Sequence, residues 1–516
     1  MFILIVQSLY SQRWDVTIGS QNRADFVRNL EEYYDKGFLI IGGYDNEYGW
    51  AIKTDINGSV LWEKVFENSH AVFNNASAID LNGNLYQCGA LWIDESTCWP
   101  YIAKLDSCGN KVWCRSIKDN GKLYGWSCDI KLNNNNELIV LVEFESEEKI
   151  DQIFLYGLDT MGNILWSSAY ASKNNYPQIG IASPRELSAI GAGYIISGYC
   201  YWPFPNNPQH KYLRPFFIGI DSNYNEKWIL PYAVMDSVFG EAYSCIQLND
   251  SINIGVGERW IEENSKNSII MFINNDGENL GLIQIQNQMI GEDIISNTSS
   301  AIAKLNDSVL ITSSIWGYSD TGILSEMVLD INGVIYNKHE SINNAIFDSY
   351  LIKTNDNAFV VSGTINISNY DWDIVLYKIN DSLESVPLDT NQYNYDSLCP
   401  HHITSGTIDL SDCLIWTNTE EIPSPEGYYA SLRTIPISTF PNPAKDKVTF
   451  AFENTDKHKN IRLACFNIFG QRVHEQKIYT GQLEAEADVS EWGNGIYVAV
   501  VKSNGKTLGR TKFIVE

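Results

Sequence analysis

The chain has 516 residues and a formal net charge of −27, with 44 % hydrophobic and 12 % aromatic residues. That apolar content excludes a disordered acidic chain, and the length exceeds one ordinary core. The acidity repels nucleic-acid phosphates, and no apolar run approaches the ~20 residues that span a bilayer as a helix.

Residues 1–12, Met1-Phe-Ile-Leu-Ile-Val-Gln-Ser-Leu-Tyr-Ser-Gln12, read as the remnant of a signal peptide. They show an apolar stretch and a small-residue exit but no basic head, as a start codon placed too far downstream would leave. The other reading is an ordinary buried first strand. Arg13-Trp-Asp-Val-Thr-Ile-Gly19 then copies an outer strand of the repeats that follow, although no repeat precedes it. It is expected to complete the last unit, because Ser385-Val-Pro-Leu388 carries a proline unsuited to an interior strand.

From Asp55 onward one pattern recurs. Asp55-x-x-Gly58-x-x-x-Trp62, Asp106-x-x-Gly109-x-x-x-Trp113 and Asp159-x-x-Gly162-x-x-x-Trp166 are the full copies. Asp221…Trp228 carries Tyr224 in the Gly place. Asn274…Gly277…Gly281, Asp330…Gly333…Asn337 and Asn380, with Leu383 for the Gly, are degenerate. Successive starts lie 51, 53, 62, 53, 56 and 50 residues apart. A period of this size built from short strands predicts an all-β fold, a seven-bladed β-propeller over 13–390.

Within each unit an apolar run closes on small residues, as in Phe38-Leu-Ile-Ile-Gly-Gly43, Leu85-Tyr-Gln-Cys-Gly89 and Tyr194-Ile-Ile-Ser-Gly198. Such runs are strands buried on both faces. The next strand alternates, as in Trp50-Ala-Ile-Lys-Thr-Asp55, which predicts half burial. Asp-x-x-Gly makes a tight turn, with Gly at positive φ and Asp capping backbone amides. The Trp on the returning strand is expected to pack between neighbouring units. A calcium loop needs more oxygen ligands and a bidentate carboxylate about a dozen residues on, which no copy has.

The pattern resembles the quinoprotein-like propeller repeat, in which Gly-x-x-x-Trp also closes each unit, and more loosely the sialidase Asp-box. The resemblance implies the fold alone. Without an adjacent Cys-Cys pair or an eighth repeat, it implies neither a quinone cofactor nor dehydrogenase activity.

The 62-residue interval is explained by an insertion, Cys200-Tyr-Trp-Pro-Phe-Pro-Asn-Asn-Pro-Gln-His210-Lys-Tyr-Leu-Arg-Pro215. Its Tyr201, Trp202, Phe204, His210 and Arg214 form the candidate ligand loop, able to stack on a sugar or peptide. In the plainer reading these aromatics lid the ring.

Ten cysteines suit an exported protein. Proximity in sequence suggests Cys108 with Cys114 and Cys399 with Cys413, and more weakly Cys88 with Cys98. There is no C-x-x-C pair, and His401-His402 beside Cys399 reads as a loop feature, so no metal is expected. Residues 391–437 are polar and proline-bearing and read as a linker, tied down if Cys399 and Cys413 join.

Residues 438–516 carry a net charge of +2, leaving −29 on the rest. Short alternating strands at 447–452, 461–466, 473–479, 495–501 and 511–515 predict a small β-sandwich. Phe440-Pro-Asn-Pro-Ala444, Phe466-Asn-Ile-Phe-Gly-Gln-Arg-Val473, Asn494-Gly-Ile-Tyr-Val-Ala-Val500 and Lys512-Phe-Ile-Val-Glu516 resemble the type A sorting domain of the type IX (Por) secretion system. The resemblance implies that Pro441, Asn442, Pro443, Gly470, Gly495, Tyr497 and Lys512 carry the sorting signal. It further implies a translocon and a sortase as partners, and a secreted or outer-surface location on a Gram-negative bacterium.

No Gly-x-Ser-x-Gly, His-Glu-x-x-His or phosphate loop is present, so no catalytic, cofactor-binding or metal-binding residue is assigned. Glu31-Glu32, Glu147-Glu148, Glu262-Glu263 and Asp371…Asp373 read as solvated charges of an acidic chain. The expectation is therefore an exported binding or adhesion module without catalysis, facing an extracellular glycan or protein ligand. Two alternatives stay open. One is a propeller-based glycosidase or polysaccharide lyase, whose carboxylates would come from different blades; the other is a structural component of the cell envelope.

Overall fold

The computed structural model describes residues 15–516 except 120–121, 147–152, 173–174, 178, 205–206, 233–238, 263–264, 286–287, 291–292, 318–321, 369, 418–421, 426–427, 429–436, 453–460, 469–470, 480 and 504–505. Every named element is a β-strand. The chain divides into two compact units, Met1–Pro425 and Glu426–Glu516. The signal-peptide expectation at 1–12 lies outside the described residues.

In the first unit the strands fall into successive antiparallel runs of four, each joined in sequence order. The first run is Phe26–Glu32, Phe38–Tyr44, Tyr48–Thr54 and Val60–Glu67; the second is Val72–Ile79, Leu85–Asp94, Thr97–Leu105 and Lys111–Lys118. The third is Lys122–Leu132, Leu138–Ser146, Ile153–Leu158 and Ile164–Tyr170. The fourth is Ala182–Ile190, Gly193–Phe204, Asn207–Ile220 and Glu226–Pro231. The fifth is Phe239–Gln247, Ile252–Glu262, Ser265–Asn274 and Asn279–Gln284. Asn297–Asn306, Val309–Trp316 and Gly322–Asp330 continue into Ile335–Lys353, a long strand whose second half opens the last run with Phe359–Ser368 and Asp371–Ile379. As expected, the outer strand of that last run comes from the other end of the chain. Asp15–Ile18 pairs antiparallel with Asp371–Ile379, Asp15 opposite Tyr377 and Ile18 opposite Ile374.

The small residues that close each second strand answer a defect in the first. In run after run the first strand bulges at the same place, between Val27 and Asn29, Asn74 and Ala76, Pro184 and Glu186, and Ala242 and Ser244. The bulge drives a carbonyl against the facing strand. A Cβ on Gly89 would stand 1.8 Å from the Phe73 oxygen, and one on Gly198 2.1 Å from that of Ser183. Only glycine fits there.

The Asp turns form as the spacing predicts. Asp55 Oδ1 accepts the amides of Asn57 and Ser59, both at 2.8 Å, and the same two-amide cap recurs at Asp106, Asp159, Asp221, Asn274, Asp330 and Asn380. Gly58 has φ +83°, and Tyr224 and Leu383 keep positive φ, +62° and +63°, in the Gly place. The tryptophans pack across runs. Trp113 lies on Gly162 and donates Nε1 to Thr160 O at 3.1 Å; Trp228 lies on Gly277 and donates to Asn275 O at 3.0 Å. Trp166 meets the ring of Tyr224 itself, centroids 4.5 Å apart, so the residue that breaks the pattern also fills the seam.

Half burial of the third strand is not observed. Tyr48–Thr54 is buried along almost its whole length, and Lys53 is 0 % exposed. The polar phase of the alternation ends in a buried ion pair, Lys53 Nζ to Asp35 Oδ1 at 2.8 Å, flanked by the rings of Tyr33 and Tyr395. Lys378 is buried in the same register and pairs at 2.6 Å with Asp356, whose carboxylate stays 46 % exposed.

In the second unit, Ile437–Phe440, Lys447–Phe452 and Glu484–Asp488 form one sheet. Arg472–Ile478, Ile461–Asn467, Gly495–Ser503 and Lys506–Val515 form the other. Val448, Phe450, Leu463, Val501 and Phe513 share one core, so the sandwich is as expected.

Tyr224→Gly sets two effects against each other. Relieving a left-handed backbone returns about 1–2 kcal/mol, whereas removing a buried ring costs about 3–5 kcal/mol. The full chain should therefore unfold at a lower temperature in calorimetry; an unchanged or higher midpoint contradicts the seam packing.

Candidate functional site

The first strands of the runs carry an unusual load of polar side chains, and these connect one run to the next. Ser77 Oγ donates to Asn29 Oδ1 at 3.1 Å, Asn75 Nδ2 to Ser127 O at 2.9 Å, and Leu187 N to Asp129 Oδ2 at 2.9 Å. Arg185 pairs with Glu241 at 2.6 Å, Thr298 Oγ1 donates to Glu258 Oε2 at 3.0 Å, and Ser300 Oγ to Ser349 O at 3.0 Å. Val27 N donates to Thr364 Oγ1 at 3.2 Å, linking the last run to the first.

Carboxylates from three runs converge on one lysine. Lys131 Nζ lies 3.0 Å from Asp129 Oδ1, and Glu31 and Glu186 act on the same charge. Burial works against the Lys131 charge, yet Asp129, Glu186 and Glu31 together hold its pKa above the ordinary range. Burial pushes Glu31 up to about 7, with Lys131 opposing the shift, and raises Glu186 in the same way. Glu143, which accepts Ser183 Oγ at 2.7 Å and Trp126 Nε1 at 3.1 Å, is also raised to about 7 by burial. Glu31 was expected to be a solvated loop charge. It sits instead on strand Phe26–Glu32, where period-two alternation turns it toward neighbouring runs. Asp371 is likewise 5 % exposed on its strand, and Glu147, Glu148 and Glu263 lie outside the described residues.

The segment expected as a linker is, over 389–417, a strap folded onto the first two runs. Gly406–Asp409 adds in parallel to Val60–Glu67, and Leu414–Thr417 to Lys111–Lys118. Asp396 accepts the indole N–H of Trp62 at 3.1 Å, and Thr404 O accepts Lys64 Nζ at 2.8 Å. The cysteine pairing is corrected accordingly. Cys108 joins Cys399 and Cys114 joins Cys413, with Cα atoms 5.0 and 4.6 Å apart, because the strap runs alongside the second run's turn and outer strand. Cys88 and Cys98 are free and buried, their sulfurs directed at the carbonyls of Ser127 and Gly125. Cys108, Cys399 and His401 lie together, but both sulfurs belong to the disulfide.

The insertion is a hairpin rather than an irregular loop. Gly193–Phe204 and Asn207–Ile220 pair out to Trp202 opposite Tyr212 and Phe204 opposite Asn207. Tyr201 is 38 % exposed and Trp202 half-buried, whereas Arg214 is 1 % exposed beside Cys200 and presents nothing to a ligand. The side chains of Phe204 and His210 lie outside the described residues.

In the second unit, the Pro441-Asn442-Pro443 segment staples the final strand. Asn442 Oδ1 accepts Ile514 N at 2.9 Å, and Ala444 exchanges backbone bonds with Ile514 and Glu516. Tyr497 packs between Trp492 and Phe513 and donates to Gly493 O at 2.7 Å. Gly495 pairs with Val515 and Lys512 with Val498; Gly470 lies outside the described residues.

Residues 438–516 match the family described as the secretion system C-terminal sorting domain. The chain is thus a cargo protein of the type IX secretion system, exported to the extracellular space or cell surface of a Gram-negative bacterium and engaging that machinery through this domain. No curated protein matches the chain. Among solved structures it is similar to Drosophila Plexin A in complex with Semaphorin 1b, at 8 % identity and a TM-score of 0.42, over 71 % of this chain and 87 % of that one. Drosophila Semaphorin 1a gives 8 %, 0.43, 71 % and 88 %, and a europium-containing methanol dehydrogenase 9 %, 0.36, 69 % and 84 %. No helix of the described residues is long and apolar enough to cross a membrane.

Glu31 has a folded-state pKa above its unfolded value, so the unfolded chain releases this proton first. Its contribution to stability should fall as pH rises from the ordinary carboxylate range to about 7. Glu31→Gln should flatten the dependence of the melting temperature between pH 5 and pH 8; an unaltered slope contradicts the half-buried placement of Glu31 against its neighbouring runs. Replacing Cys114 and Cys413 together by alanine should cost about 2–4 kcal/mol and speed proteolytic cleavage within 389–417, and equal cleavage rates would refute the strap.

Proposed function

We propose that the chain is an exported, seven-bladed β-propeller that binds an extracellular ligand without catalysing a reaction. The reading of a closed ring is supported by the contacts between the ends of the first unit. Val27, Phe38 and Trp50 of the first run share a core with Val360, Ile374 and Leu376 of the last. Asp25 N and Trp372 N bond across to Trp372 O and Arg23 O. A ring with its outer strand borrowed from the opposite terminus has no free edge, which suits a rigid display scaffold.

The observation that carries the binding reading is the commitment of the central carboxylates. Asp129 is spent on Lys131 and on the amides of Ile130 and Leu187, and Glu186 accepts Ser188 Oγ. Such groups staple neighbouring blades rather than stand ready for proton transfer. The sorting domain supplies the setting, because its cargo works outside the cell.

A carbohydrate-active enzyme is the second reading, favoured by Glu31, whose raised pKa suits a general acid. The two separate in one experiment. The purified full chain is applied to an array of extracellular glycans and host surface proteins and, in parallel, to the same glycans in solution with product analysis. Retention on the array with no cleavage supports binding. Cleavage that Glu31→Gln abolishes supports the enzyme.

A further inference from the structure

The buried pair of the first run is arranged for more than charge. Asp35 lies in the turn between Phe26–Glu32 and Phe38–Tyr44, and Lys53 stands near the end of Tyr48–Thr54. Lys53 is 0 % exposed and Asp35 is buried with it. Lys53 Nζ lies 2.8 Å from Asp35 Oδ1 and 3.0 Å from Oδ2, so it faces the whole carboxyl group. The rings of Tyr33 and Tyr395 stand 4.8 and 5.2 Å from the same nitrogen. Taking two charges out of water commonly costs more than their attraction returns.

Backbone already grips both oxygens of that carboxyl. Gly37 N donates to Oδ1 at 3.1 Å, and Asp396 N donates to Oδ2 at 2.9 Å. An acyl carbon flanked in this way has its oxyanion donors in place before any reaction starts. Residue 37 must also lack a side chain, because a Cβ there would stand 2.5 Å from Lys53 Nζ.

The strap supplies a third group. Asp396 brings a second carboxyl to bear on the same lysine. Its Oδ2 accepts Trp62 Nε1 at 3.1 Å, whereas its Oδ1 is buried without a partner. Burial raises the pKa of Asp396, with Lys53 opposing, and lowers that of Lys53, with Asp35 opposing. Burial thus works toward a neutral amine and a protonated acid in one dry site.

We propose that Lys53 and Asp35 condense into an isopeptide bond, Nζ joined to Cγ, with Asp396 as the proton carrier. Lys53 first passes one proton to the Asp35 carboxylate, leaving an amine beside an acid. The amine lone pair attacks Cγ, and the carbonyl electrons move onto the oxygen. Asp396 protonates the departing hydroxyl and recovers a proton from the nitrogen, ending as it began. The C–O bond breaks, one water leaves, and the carbonyl re-forms as an amide that keeps the last Nζ proton. No oxidant or outside reactant is consumed. Fixed contact in a sealed site replaces activation of the acid. The last run holds the comparison: Lys378 meets Asp356 at 2.6 Å, but that carboxylate is 46 % exposed, and water keeps the pair ionic.

The test is the mass of the purified full chain with its disulfides reduced. It should fall short of the sequence mass by about 18 Da, one water. Trypsin should fail to cut after Lys53, and residues 29–36 should travel joined to 37–64 in tandem mass spectra. Asp396→Asn, which keeps the side chain's shape, should slow the condensation about 100-fold and leave the freshly purified variant mostly at full mass. A wild-type chain at full mass, or one whose missing water lies outside 29–64, overturns the proposal, whether or not the variant folds. A folded Asp396→Asn variant bonded as completely as wild type overturns the role of Asp396. Equal bonding between Lys378 and Asp356 overturns the argument from burial.

Discussion

Each run of four strands is too thin to bury its own faces, so everything in the first unit follows from the seam between one run and the next. The seam is made twice. On the turn side, an indole leaves its own strand and lies on the backbone of the following turn, Trp113 over Gly162 and Trp228 over Gly277. On the inner side, hydrogen bonds pass from first strand to first strand. The first contact is apolar and tolerant, and the second is directional. Together they fix the rotation between successive runs, as apolar packing alone would not.

The tolerance of the apolar contact explains why the sequence pattern decays without the architecture changing. Tyr224 takes the glycine position, accepts a left-handed backbone and fills the space with its own ring. Leu383 does likewise and is 3 % exposed. What persists in all copies is the carboxylate or amide cap at the head of the turn, because two backbone amides need an acceptor in every run.

The repeat, the turns, the closing strand and the sandwich were legible because each follows from local spacing. The site was less so. Lys53 reads as the exposed phase of an alternating strand, and only the fold shows that it meets Asp35 across the buried layer. Glu31, Asp129, Lys131 and Glu186 are scattered over three runs, and nothing in their spacing marks them. Cys108 and Cys399 stand 291 residues apart, so neighbourhood in sequence chose the wrong partners.

The strap also restrains the chain when it is not folded. Its bridges join residues separated by 291 and 299 positions. On the chain-entropy model, loops that long take more freedom from the denatured ensemble than a pairing of sequence neighbours would. The same two bonds that hold a surface strap in place therefore also tether most of the first unit's length into one covalent circle.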